Sequence, residues 1–348
     1  MVTCAKVPRK MAQETIQNLK ARGLLKKSYG AFSEGGFVYI PVNRKPQEYE
    51  LVEKRAARQT EKPANLKQAL RGILTNSELE IAIRSFDVIG DIAIIEIPEP
   101  LAEKQRQIGE AILKTHPNIK TVCKRAGAHS GTYRIRKATV IAGERKTETT
   151  YKESGVQLRL DINKTYFSPR LSHERLRIAK QVKPGEKIGA FFAGVGPFPI
   201  VIIKHQPKAT AVAIELNPES YEYLLHNIKL NRMQNKIKPI LGDVSLEARK
   251  LGEVFDRVLM PLPKDAGDFL DAAIQSVKNN GTVHFYNFAD KQTAFEDTEH
   301  IIQKACGKNK VAYKIKNKRI VRPFSPSTVQ VSFDFQVIKK PYGLDKCS

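Results

Sequence analysis

The chain reads as an α/β protein. Its C-terminal half is a doubly wound, Rossmann-like sheet closing on a C-terminal β-hairpin edge, preceded by a small N-terminal α+β unit and an α+β middle unit. Three observations carry this. From about Lys180, strand-like apolar runs alternate five times with helix-period segments, the rhythm of βα repeats. Two long β-rich runs then follow each other with no long helix between them. Upstream, the apolar runs are shorter and separated by charged stretches, and 348 residues suffice for two or three domains.

The elements follow in order. Residues 1–45 form a small unit, with a helix over Lys10 to Arg22 stopped by Gly23, and a strand Phe37 to Val42 after the turn signal Gly35-Gly36. Residues 46–78 are highly charged and poor in apolar residues, and read as a linker, partly helical at most. A middle α+β unit spans 79–170. Ile81 to Ile89, Gly90-Asp91 and Ile92 to Ile97 read as a hairpin; Leu101 to Lys114 is an amphipathic helix with Ile108, Ala111 and Ile112 inward; Thr121 to Cys123, Arg134 to Ile141 and Val156 to Ile162 are strands, and Gly127 to Gly131 and Gly143 to Thr150 are loops. Residues 171–340 carry the repeats. Their strands are Lys187 to Phe191, Ala211 to Glu215, Lys238 to Leu241, Phe255 to Met260 and Thr282 to Tyr286, and the hairpin is Val311 to Val321 with Thr328 to Val337. Residues 341–348 read as a disordered tail.

Composition narrows the function classes. There are 59 Lys+Arg against 36 Asp+Glu, a net charge of +23, spread along the chain in pairs such as Lys124-Arg125. This favours a polyanionic partner, nucleic acid first, although a generally Lys-rich surface is also a hyperthermophile habit. No apolar run reaches the roughly 18–20 residues of a membrane span, and no signal peptide is expected at Met1-Val-Thr-Cys4. The four cysteines form no C-x-x-C pair and the seven histidines no H-x-x-x-H spacing, so neither a disulfide scaffold nor a metal site is expected, and a reducing cytoplasm fits.

The first βα turn, Phe191-Phe-Ala-Gly-Val-Gly-Pro-Phe198, is the candidate cofactor site. Gly194 and Gly196 let the backbone approach a ligand, while Pro199 stands where a third glycine of G-x-G-x-x-G would be. Glu215 ends the second strand, where a carboxylate can accept both hydroxyls of a ribose. Asp243 follows the third strand, within reach of an adenine amino group. Each acidic residue alone could be a solvated strand end; three strand ends in register point to a nucleoside cofactor. Spacing does not separate S-adenosylmethionine from NAD, but the missing phosphate-binding glycine and the hairpin ending favour S-adenosylmethionine and a class I methyltransferase domain.

Phe192 to Phe198, Glu215-Leu-Asn-Pro218, Tyr166-Phe-Ser-Pro-Arg-Leu171 with Glu174-Arg175, and Met260-Pro-Leu-Pro-Lys264 together resemble the archaeal and eukaryotic tRNA (guanine-37) N1-methyltransferases. Ser85 to Ile94 is similar to the start of that family's middle domain, and the likeness extends from about Leu79 to Lys340. It implies an N-terminal domain that reads the tRNA elbow, S-adenosylmethionine as cofactor, and an anticodon-loop guanosine as substrate. It also implies cofactor contacts from Arg175, Phe192, Ala193, Gly194, Gly196, Glu215, Leu216, Asp243, Val244 and Pro261. Two positions depart from the family: Ala190 replaces an Asp, and Pro261 replaces the Asn of Asn-Leu-Pro. The Pro-Leu-Pro form resembles the archaeal wyosine-pathway subgroup, some of whose members are implied also to methylate C7 of the tricyclic base 4-demethylwyosine at position 37.

Transfer to N1 of guanine needs a base near N1 and a cation near O6. The resemblance implies Glu186, in Pro184-Gly-Glu186, as the base; Arg145 is the candidate cation, with Arg134 and Arg136 as alternatives, and Pro261 adjoins the reaction. The target base must leave its stack; Tyr166 and Phe167 are candidates to stack on it and Asn287 to contact it. A methyltransferase acting on another RNA, and a non-catalytic RNA-binding protein retaining the fold, are the alternatives. A monomer with tRNA as partner is expected.

Overall fold

A computed structural model describes residues 1–26, 28–56, 65–82, 86–125, 135–261 and 266–339. The chain divides into two compact units, 1–72 and 73–348.

In the first unit β1 (Val2–Pro8), α1 (Ala12–Ala21), β2 (Phe32–Glu34), β3 (Phe37–Pro41) and β4 (Glu50–Lys54) build a sheet of order β2-β3-β1-β4. Leu19 of α1 seals Ala5, Val7, Val38 and Ile40 on one face. β4 lies in the segment expected as linker. It pairs antiparallel with β1, Leu51 opposite Ala5, and its charged residues Glu50 and Glu53 bond across to Lys6 and Thr3. α2 (Leu66–Leu70) ends this unit, with Asn65 accepting from the Gln68 amide as its cap.

The second unit begins with α3 (Asn76–Ile81), held by a capping box of Thr75 and Glu78. β5 (Asp87–Ile89), β6 (Ile92–Ile95), α4 (Gln105–Thr115), β7 (Thr121–Arg125) and β8 (Ala138–Gly143) form a four-stranded sheet in chain order. α4 is the crossover between parallel β6 and β7, and Ile108, Ala111 and Ile112 face inward as its periodicity predicts. The β5–β6 turn requires Gly90: at φ +58°, a Cβ there would lie 2.1 Å from Thr149 Oγ1.

Thr149 belongs to β9 (Glu148–Glu153), where a loop was expected through Thr150. β9 pairs with β10 (Val156–Asp161) in a separate hairpin. Its residues are too polar to signal a strand, and packing supplies what composition does not. The side chains of Asn227, on the helix Pro218–Leu230, and of its C-cap Asn231 bond both ways to the β10 backbone, at Arg159 (2.7 and 2.9 Å) and Gln157 (3.1 and 2.7 Å).

The remaining elements are α5 (Ser172–Ala179), β11 (Lys187–Phe191), α6 (Pro197–His205), β12 (Thr210–Glu215), α7 (Pro218–Leu230), β13 (Ile237–Leu241), α8 (Val244–Leu251), β14 (Phe255–Met260), α9 (Leu270–Ser276), β15 (Val277–Asp290), α10 (Ala294–Lys308), β16 (Ala312–Pro323) and β17 (Thr328–Ile338). The sheet order is β13-β12-β11-β14-β15-β17-β16, five parallel strands closed by an antiparallel hairpin. One face packs Phe191, Phe255, Met260, Phe285 and Phe333 under α8 to α10; the other packs Ile188, Ala190, Leu259 and Tyr286 under α5 to α7. α6 buries six consecutive residues, Phe198 to Ile203. A helix apolar all round must be covered on both sides, and α5 and β10 cover what the sheet does not.

Candidate active site

β11 lies between β12 and β14, so the strand order reverses there and the carboxyl ends part into a crevice. Its floor is the turn after Phe191. Phe192, Gly194 and Gly196 all have positive φ (+54°, +56° and +89°). A Cβ on Gly196 would meet Leu224 Cδ1 at 2.6 Å, so that turn packs against α7 only with glycine. The Ala193 amide donates to Ile214 O (2.9 Å) and the Gly194 amide to Glu215 Oε2 (2.6 Å), while Glu215 Oε1 accepts from the Asn217 amide (2.8 Å). Burial pushes the Glu215 carboxyl above its ordinary range, and these amide donors oppose the shift only in part. Gly242 N donates to Glu215 O, tying β12 to the turn where Asp243 caps α8 by accepting from Ser245 N (2.7 Å). Val244 is buried beneath, and Leu216 and Leu241 stand 42% and 47% exposed at this edge. A carboxylate with acceptor capacity to spare between exposed leucines fits a nucleoside: hydroxyls to Glu215, base faces to the leucines.

Other candidates are placed differently. Glu186 precedes β11, so it lies at the amino edge of the sheet, about 16 Å along the strand from the crevice. Arg257 grips it there, Nε to Oε2 at 2.8 Å. This geometry corrects its assignment as base. Arg145 is exposed in the β8–β9 turn, beyond the Gly143–Thr121 pair. The opposite end of β7, Arg125, borders a cavity of about 50 Å³ with Arg136, Tyr166 and Phe167, about 13 Å away. Arg145 therefore stands apart from that cavity. Arg136 pairs with Glu96 (3.1 Å) and lines that cavity; Arg134 lies outside the described residues. Phe167 is committed to packing, edge-on to Tyr151 and beneath the Arg175 guanidinium, whereas Tyr166 is 40% exposed. Asn287 donates to Thr298 of α10 (3.1 Å). Arg175 is fully buried and its fork is taken by Glu153 (2.5 and 2.7 Å), so it clamps β9 to α5 and is not an arm reaching for the cofactor. Pro261 follows β14 at the same edge as the glycine turn. Ala190 is buried against Phe198 and Tyr286, in apolar surroundings.

A further carboxylate on the crevice side is Glu174, in the first turn of α5 and 3% exposed. The Tyr286 hydroxyl donates to its Oε2 at 2.9 Å, Arg177 Nε donates to the same oxygen at 2.9 Å, and Oε1 faces Arg319 at 3.4 Å. In the sheet Phe285 pairs with Met260, so Tyr286 stands level with Pro261, at the strand ends. Its ring lies 6.2 Å from that of Phe198, two residues past Gly196.

Comparison with known proteins gives the family. Family models match as the TRM5/TYW2 methyltransferase domain over residues 149–315, the TYW2 N-terminal domain over 66–147 and the tRNA methyltransferase 5 N-terminal domain over 4–50. A Pyrococcus abyssi protein named tRNA (guanine(37)-N(1))-methyltransferase Trm5b is 38% identical, the alignment covering 97% of this chain and 99% of that one. The chain belongs to the TRM5/TYW2 family of tRNA methyltransferases.

Two solved structures of TRM5/TYW2 relatives bear on the site. That of aTrm5 in complex with tRNALeu is 34% identical with a TM-score of 0.77, covering 97% of this chain and 99% of that one. That of Methanocaldococcus jannaschii TYW2 in complex with AdoMet is 26% identical with a TM-score of 0.56, covering 74% and 100%. Two features of this TRM5/TYW2 chain escape sequence reasoning. Glu174 stood inside the quoted Glu174-Arg175 motif but carried no chemical signal of its own. Arg257, His284, Tyr286, Ser332 and Asp334 interrupt three apolar strands at alternate positions and so share one sheet face. That polar stripe was the available signal.

Proposed function

We propose that this chain methylates N1 of guanosine 37 in tRNA with S-adenosylmethionine as donor, and that Glu174 is the general base. The observation that carries this is Glu174 itself, a buried carboxylate held by Tyr286 at the strand ends beside the Gly194-Val-Gly196 turn. Glu215, Leu216, Asp243 and Leu241 would hold the nucleoside part of the donor, which supplies an electrophilic methyl group when bound.

The chain's own residues then have defined tasks. N1 of guanine bears a proton at neutral pH, and Glu174 would accept it as N1 takes the methyl group that the donor, when bound, would give up from its sulfonium. Charge developing on O6 needs a cation in reach, and Arg136, beside Tyr166 at the small cavity, is the described candidate. The target base leaves its stack to enter, and Tyr166, 40% exposed, is the ring that would cover it. Arg319 sits half exposed on the edge strand β16, so an arriving phosphate can draw it from Glu174 Oε1. The net charge of +23 serves the phosphates, and the N-terminal unit would read the tRNA elbow. No helix among the described residues is long and apolar enough to cross a membrane, and a cytoplasmic monomer fits this role.

The test is methyl transfer to a tRNA transcript carrying guanosine, adenosine or imidazopurine at position 37, with the product nucleotide mapped by mass spectrometry. N1-methylguanosine at 37, lost in the adenosine transcript, is expected. Methylation elsewhere, or none at all, overturns the reading. A product with imidazopurine would add the C7 activity of the wyosine-pathway subgroup.

A further inference from the structure

Glu174 is the last member of a row of ionisable side chains that crosses the covered face of the sheet. Glu186 at the amino edge bonds Arg257 (2.8 and 3.3 Å). Arg257 Nη1 lies 3.0 Å from His284 Nε2, and His284 Nδ1 lies 2.6 Å from Asp334 Oδ1. Asp334 takes both ends of Arg177, through Nη1 to Oδ2 and Nη2 to Oδ1 at 3.1 Å, and Arg177 Nε reaches Glu174 at 2.9 Å. His284 and Asp334 are 0% and 2% exposed.

The protonation pattern of this row follows from its donors. A guanidinium only donates, so His284 Nε2 must be the acceptor and Nδ1 carries the hydrogen given to Asp334. His284 is then neutral, as its burial also dictates. The row holds three carboxylates, two guanidiniums and one neutral imidazole, a net charge of −1. Arg257 is compensated by Glu186, so within the row Asp334 and Glu174 share a single Arg177, and the half-exposed Arg319, 3.4 Å from Glu174 Oε1, is the second cation beside Glu174.

Among the described residues, the charged neighbours of Glu174 come from three elements. Arg177 comes from α5, Tyr286 from β15 and Arg319 from β16, with Asp334 of β17 behind Arg177 and Gln181, in the turn after α5, donating to Asp334; the adjacent Arg175 points away to Glu153. Were Arg177 to have Glu174 as sole counter-ion, that guanidinium would hold the carboxylate in its charged form and spoil it as a base. We propose that Asp334, oriented by His284, is a positioning residue for the methyl transfer: it binds and neutralises Arg177, so that Glu174 is seated against Tyr286 yet remains free to take a proton. This rests on the reading of Glu174 as the base.

The experiment is single-turnover methyl transfer to guanosine-37 tRNA across pH, with equilibrium binding of S-adenosylmethionine and tRNA as controls. Asp334→Asn removes the compensating charge. Its acid limb should move to lower pH by about one unit, and its plateau rate should fall about three- to tenfold as the base weakens. Adding Arg177→Gln should return the limb upward and recover part of the rate, where a merely structural role would make the two losses add. If Asp334→Asn does not fold, Arg177→Gln alone carries the test, its limb moving to higher pH. Limbs that stay in place in both variants overturn the proposal. Glu174→Gln separates the two levels: transfer abolished with cofactor still bound upholds the base, so that unmoved limbs then sink only the role of Asp334, whereas transfer retained sinks the base reading itself.

Discussion

Tyr286 donates its hydroxyl to Glu174 at 2.9 Å where both side chains are buried, and that bond fixes a carboxylate from α5 level with the carboxyl end of β14. The partnership pushes the Tyr286 phenol far up, with burial as the larger cause and Glu174 as the next, so the phenol remains a donor throughout the working pH range. Tyr286→Phe should keep the ring packing against Phe198, lower the transfer rate about three- to tenfold and leave S-adenosylmethionine affinity unchanged. Rate and binding measured on the same preparation check it.

The two carboxylates that bracket the sheet should part cleanly. Glu174→Gln is expected to abolish transfer. Glu186→Gln leaves Arg257 without its carboxylate and should lower stability by about 2 kcal/mol while the transfer rate stays within about threefold. Chemical denaturation and single-turnover rates report the two effects separately. A Glu186→Gln enzyme with no activity but normal stability would contradict the placement.

Cofactor affinity should depend on pH through Glu215. Burial raises that carboxyl above its ordinary range, so it takes up a proton before exposed carboxylates do as pH falls. The neutral acid is a poorer acceptor for ribose hydroxyls. S-Adenosylmethionine affinity should therefore weaken on acidification before exposed carboxylates titrate, and Glu215→Ala should weaken it about tenfold or more at neutral pH and remove that dependence. Calorimetric titration across pH is the measurement.

Gly196→Ala meets two penalties. Its φ of +89° disfavours any side chain, and the new Cβ would sit 2.6 Å from Leu224 Cδ1 and 3.0 Å from Ile200 Cδ1. A loss of about 1–3 kcal/mol in stability is expected, with cofactor binding impaired. Adding Leu224→Ala should relieve the clash but not the backbone strain, so recovery should be partial in thermal unfolding.

Asp334 should make the unit acid-sensitive. His284 and Arg177 hold its carboxyl well below the usual range against the opposing pull of burial. A depressed carboxyl contributes stability that is fully present above its unfolded value near pH 4 and is lost as pH falls toward its folded value. The stability gap between the parent and Asp334→Asn, of about 3–5 kcal/mol at neutral pH, should shrink steadily below about pH 4. Denaturant unfolding at pH 7 and pH 3 compares the two.

Much of the methyltransferase sheet was legible because each strand is an apolar run and each helix carries its own cap or stop. The hairpin of Ala312–Pro323 and Thr328–Ile338 fell within two residues of its expected ends. β4 and β9 were not legible. Glu50–Lys54 and Glu148–Glu153 are polar segments that become strands only because β1 and β10 offer them a ladder. Arg175 shows the same limit at a side chain: its position beside the motif was readable, but its commitment to Glu153, 22 residues upstream, was not.

The sequence by itself determined the βα rhythm, the glycine turn and the acidic strand ends Glu215 and Asp243, since local spacing alone puts these at the carboxyl edge of consecutive strands. Tertiary structure decided which carboxylate can meet a substrate. Glu174 and Glu186 are twelve residues apart in the chain, yet α5 returns the first to the carboxyl edge while the run into β11 leaves the second at the amino edge. A strand separates its two ends by about 16 Å, and only the packing of α5 on Tyr286, Ser332 and Asp334 fixes the end to which a helix delivers its side chains.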